Sequence, residues 1–74
     1  MATYNVTYET VNNDGEKAHH VETYYNGVKA EQSYKNLTAV LRNLVYDGMY
    51  SYVHVSLTGN GQVYGDYVID AEVF

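Results

Sequence analysis

The side chains able to do chemistry in this 74-residue chain are His19, His20 and His54, nine acids, and an unusual set of ten tyrosines. Cysteine is absent, which removes disulfides, thiolate metal sites and a thiol nucleophile. His19 and His20 are adjacent in an extended run, where neighbours point to opposite faces, so they do not share a metal. His20 and His54 could meet across strands, yet two imidazoles without a placed carboxylate fall short of a zinc site. Ser33, Ser51 and Ser56 have no Gly-x-Ser-x-Gly setting and no motif tying them to a histidine and an acid. Gly59-Asn60-Gly61 is too short to cradle a phosphate, and it opens a strand where a phosphate loop would open a helix. Asp70 and Glu72 fall on one strand face, roughly 6.5–7 Å apart by strand rise. That spacing fits glycosidase chemistry, but so short a chain leaves little room for a substrate cleft. The expectation is a protein with no catalytic residues, no metal ligands and no cofactor.

What remains is surface chemistry. From Asn43 onward the chain carries Asp47, Asp66, Asp70 and Glu72 and no lysine or arginine. Asp66, Asp70 and Glu72 alternate along one face of the last strand, and the same alternation puts Tyr64 beside them. Such a row serves as a solvated face whose charges discourage edge-to-edge pairing, or as an acidic ridge that imitates a phosphate backbone and docks into a basic groove. A second candidate surface is Tyr50, Tyr52 and His54, alternating on one strand face, with Tyr24 or Tyr64 next to them. Antiparallel sheets normally leave such a face polar and wet, so an aromatic patch there points to partner binding or self-association. With one phenylalanine and no tryptophan, the tyrosines also serve simply as strand filler, a role suited to their strand propensity and polar tip.

One stretch must position all of this. Leu37, Val40, Leu41, Leu44 and Val45 recur at the spacing of an amphipathic helix, which predicts a helix over Asn36–Asp47. Asn36 is its expected cap, with Ser33 as a rival one turn earlier, and Gly48 is placed to end it in a left-handed conformation. Before it, Thr3–Val11 alternates as a half-buried strand, Asn12-Asn13-Asp14-Gly15 is a turn, and Ala18–Tyr25 is a second strand. Asn26-Gly27 between alternating runs is a strong hairpin signal, which makes Val28–Tyr34 a third strand. The competing reading carries the helix back to about Val28, because Ala30, Tyr34, Leu37, Leu41 and Leu44 also form a helical stripe. After the helix, Tyr50–Thr58 and Gln62–Val73 read as strands around the Gly59-Asn60-Gly61 turn, with Gly65 marking a bulge or a close backbone approach. The fold expected is α+β: one domain spanning residues 1–74, in the order β-β-β-α-β-β. Its antiparallel sheet has four to five strands, with the amphipathic helix on one face and the other face open.

The totals narrow the partners. A net charge of −5, from nine acids against four bases, lacks the basic footprint that binding to nucleic acid or an anionic membrane requires. No apolar run approaches the ~20 residues needed to span a bilayer, and no signal peptide is visible, so a cytoplasmic protein is expected. The glycosylation patterns at Asn5-Val6-Thr7 and Asn36-Leu37-Thr38 are read as chance in that setting. At this size the core is small, and a homodimer that buried the aromatic face would add to it.

In size, acidity and lack of catalytic residues the chain resembles the small inhibitors carried by bacteriophages and mobile elements, the anti-CRISPR proteins among them. The resemblance is one of character and rests on no shared motif. It implies a non-enzymatic inhibitor or adaptor that docks on a larger, nucleic-acid-binding protein. The alternative is a small-ligand module that grips a sugar or another planar molecule on its open tyrosine face.

Overall fold

The computed structural model describes residues 2–71. These form β1 (Tyr4–Asn12), β2 (Lys17–Tyr24), α1 (Gly27–Tyr46), β3 (Tyr50–Gly59) and β4 (Gln62–Asp70). The strands make one antiparallel sheet in the order β2-β1-β3-β4, an α+β fold. β2 and β3 both run antiparallel to β1, so α1 must carry the chain over β1, and it packs chiefly on β3 and β1.

Alternation decides the core. Val6 on β1, Val53, Val55 and Leu57 on β3, and Ile69 on β4 point to the same side and are buried with Ala30, Leu41 and Val45 of α1. Tyr8, Tyr34, Leu37 and Leu44 pack around them, half-buried. The opposite side of the sheet has no layer over it among the described residues.

The expected third strand is helix instead. α1 begins at Gly27, ten residues before Leu37, and its buried face follows the longer stripe of Ala30, Tyr34, Leu37, Leu41 and Leu44. Val40, expected on that face, is exposed. Asn26 makes no hairpin turn. Its backbone is extended, and its side-chain oxygen accepts from the backbone N–H of Val28 at 2.8 Å and of Lys29 at 3.2 Å. That is an N-cap, satisfying two of the donors a helix start leaves unpaired. Neither Asn36 nor Ser33 caps anything; both lie inside the helix.

The helix ends as expected. Gly48 takes φ +83°, its N–H donates to the Val45 carbonyl, and the N–H of Met49 donates to that of Leu44. This crossed pair is the Schellman arrangement that glycine permits. The β1–β2 turn is held by Asn12, whose Oδ1 accepts from the N–H groups of Asp14 and Glu16. The β3–β4 turn is a two-residue loop, with φ +53° at Asn60 and +74° at Gly61, as a type I′ hairpin requires. The last strand ends at Asp70, and the part of the expected strand beyond Ala71 lies outside the described residues.

Candidate functional site

The pairing register lays out the uncovered face row by row. Lys17, Val11, Tyr52 and Asp70 form one row across the four strands, and His19, Glu9, His54 and Val68 form the next. Val21, Thr7, Ser56 and Asp66 follow, then Thr23, Asn5, Thr58 and Val63. Polar neighbours knit this face together. Thr23 Oγ1 donates to Asn5 Oδ1 at 2.9 Å, His19 stands 3.8 Å from Glu9, and His54 Nε2 is 2.5 Å from Asp66 Oδ1. Val21, Val63 and Val68 are exposed among them.

The charge on the fold is segregated. Lys29, Lys35 and Arg42 all sit on α1, and Lys17 begins β2, so β1, β3 and β4 carry no lysine or arginine. The uncovered face is therefore acidic through Glu9, Asp66 and Asp70, with Lys17 at one corner.

Of the acidic row expected on β4, Asp66 and Asp70 are on this face, and Glu72 lies outside the described residues. Tyr64 is not with them. Between Thr58, which pairs with Val63, and Leu57, which pairs with Gly65, β4 holds one extra residue. That bulge turns Tyr64 to the helix side, where its ring meets Tyr4 at a centroid distance of 6.0 Å and an angle of 53°.

The expected aromatic face is dispersed in the same way. Tyr52 and His54 are on the open side, but a second register shift, between Val11 and Asn12, moves Tyr50 to the core side, where it packs on the buried cluster. The extra residue there is Ser51, and its hydroxyl reaches back to the carbonyls of Val11 and Asn12. Tyr24 also faces the helix, and its hydroxyl bonds Glu22 at 2.6 Å and Ser33 of α1 at 3.0 Å. His20 is on the helix side against Tyr8 and His54 is on the open side, so the two histidines never meet.

The tyrosines instead gather at a half-open cleft of about 720 Å³ between the start of α1 and the β4 bulge. Tyr4, Tyr34 and Tyr64 line it with Val28, Leu57, and the ion pair of Glu31 and Lys35, 2.9 Å apart. Three glycines make room for the rings. A Cβ on Gly59 would lie 2.7 Å from Tyr4 Cδ1, one on Gly27 3.3 Å from Tyr4 Cζ, and one on Gly65 2.7 Å from Tyr34 Cζ. Burial of the Tyr34 phenol raises its pKa above the ordinary tyrosine value, a contact with Thr38 works the other way, and the charge of Asp66 adds to the rise.

No family model, curated protein or solved structure matches the chain. Sequence reasoning missed the cleft because it is built from the β4 bulge and from a helix start read as strand. The one available signal was Gly65, whose missing side chain marks both the bulge and the close approach of Tyr34.

Proposed function

We propose that the chain is a non-enzymatic interaction module that docks on a larger protein through the uncovered face of its sheet. One observation carries the reading. Among the described residues nothing covers one whole face of the sheet, and the three strands that dominate it hold carboxylates and valines but no lysine or arginine. Exposed valines offer apolar area to bury, and the acids select a basic counterpart. A protein with a basic groove for nucleic acid has that chemistry, and the chain would occupy the groove as an inhibitor or adaptor of the phage-borne, anti-CRISPR type, acting in the cytoplasm. A second copy of the chain is the competing occupant of the same face.

The experiment is capture by the tagged chain at low and high salt, with nuclease in parallel, beside a variant carrying Glu9→Lys and Asp66→Lys. Both sites are exposed, so the variant should fold normally. Support would be a nucleic-acid-binding partner lost at high salt and lost by the variant, yet indifferent to nuclease, since surface charges are screened over ~8 Å at physiological ionic strength. A partner retained by the variant would sink the electrostatic reading. Light scattering that shows a dimer disrupted by the same charge reversals would assign the face to self-association.

A further inference from the structure

The tyrosine cleft lies on the helix side of the sheet, away from the proposed docking face, and its chemistry is different. We infer that it binds a neutral sugar ring.

Its size is that of a small-molecule site, which typically encloses ~300–1,000 Å³ and combines mostly apolar walls with a few polar groups. The tilt of its rings excludes a planar ligand sandwiched between them. A planar aromatic molecule needs two parallel faces to be sandwiched, and Tyr4 and Tyr64 stand 6.0 Å apart at 53°, which leaves no slot between them. A pyranose needs no slot. Its C–H face lies across the phenol rings while its hydroxyls project outward, where the phenol hydroxyls, the Glu31 carboxylate and the Lys35 ammonium can donate or accept.

The rim also argues for neutrality. Glu31 and Lys35 cancel one another at 2.9 Å, so the cleft offers an anion or a cation no net partner. The remaining polar wall, Asn26, already has its side-chain oxygen engaged by the helix start. Two of its three rings are held in place by backbone: Tyr34 rests on Gly65, and Tyr4 is wedged between Gly27 and Gly59. Ring positions fixed by packing are what an unliganded stacking site needs, because little order remains to be imposed on binding.

The test is a titration of the full chain, followed by amide NMR, with methyl glucoside, methyl galactoside, N-acetylglucosamine and their disaccharides. Tetramethylammonium and benzoate serve as charged probes. At least one sugar should shift the amides of Gly27, Glu31 and Gly65, with an affinity unchanged between low and high salt. Tyr64→Ala, at an exposed ring, should weaken that binding about tenfold, the loss of one good stacking contact. Tyr64→Phe should restore most of it. Val28→Trp, which fills the cleft without truncating a wall, should abolish it. The inference is overturned if no sugar shifts the cleft amides, if Tyr64→Ala leaves the shifts intact, or if a charged probe binds there and the sugars do not. None of these outcomes bears on the opposite face, where the docking variants are placed.

Discussion

The ring of Tyr34 lies directly on the backbone of Gly65, so close that a methyl group on Gly65 would sit 2.7 Å from Cζ and 3.0 Å from the hydroxyl oxygen. One residue of α1 is thus locked to the bulge of β4, and the same contact walls the cleft. Gly65→Ala should cost roughly 1–3 kcal/mol, the range for overpacking. The obstacle is the far end of a side chain, so Tyr34→Leu in the same chain should recover most of the loss. Gly59→Ala should be worse and not be rescued at Tyr4, because there the methyl group also meets the backbone carbonyl of Thr3 at 2.9 Å. Urea midpoints of the single and double variants give the coupling; additive losses at Gly65 and Tyr34 would show that the contact is energetically idle.

Burial of Tyr34 predicts an alkaline weakness. Its folded-state pKa is raised, first by burial and further by Asp66, so the fold prefers the neutral phenol. That contribution is fully present below the ordinary tyrosine value of about 10 and is lost as pH rises through the folded value. Tyr34→Phe has no proton to lose. Its stability should therefore fall less steeply above about pH 10 than that of the parent, measured as the difference in urea midpoint against pH.

The phase of the helix is open to direct test. Leu41 is buried and Val40, next to it, is exposed. Leu41→Ala should cost roughly 2–5 kcal/mol, enough to unfold a chain this small. Val40→Ala should be neutral or stabilising by a few tenths of a kcal/mol, because alanine is the better helix former. Equal losses at the two sites, read by thermal melting, would put the helix face elsewhere.

The two Asn-Gly pairs should respond in opposite ways. Asn26→Ala removes a cap and should cost about 1 kcal/mol, a drop of roughly 4–8 °C in Tm for a chain of this size. Asn26→Asp should be tolerated. At Asn60, where φ is +53°, alanine should cost roughly 1–2 kcal/mol through left-handed strain, and glycine should be accepted.

Those two dipeptides also mark how far the sequence reaches. Asn60-Gly61 forms the hairpin its residues favour, and Asn26-Gly27 starts a helix. Both outcomes are within asparagine's means, since its short side chain tolerates positive φ and also accepts from a helix's first N–H groups. Residues Val28–Tyr34 fit strand alternation and a helical stripe equally well. Only the sheet beneath decides between them, because a helix there brings Ala30 into the buried cluster with Val6 and Leu57 and sets Tyr34 against Gly65, and a strand would not.

What the sequence by itself determined was local and periodic. The alternation of β1, β2, β3 and β4, the apolar stripe from Leu37 to Val45, the Gly48 stop, and the turns at Asn12–Gly15 and Asn60-Gly61 each follow from a few neighbouring residues. The acids and valines of the uncovered face were legible in the same way where the alternation ran unbroken, as it does at Asp66, Val68 and Asp70. The tertiary structure alone decided which tyrosines stand together. A single extra residue at Ser51 or Tyr64 reverses the facing of what precedes it, and each bulge is fixed by the pairing register, with the distant β1 at Ser51 and with the neighbouring β3 at Tyr64. Tyr50 and Tyr64 thereby left the open face, Tyr4 came to meet Tyr64, and with Tyr34 they line the cleft between the helix start and the last strand.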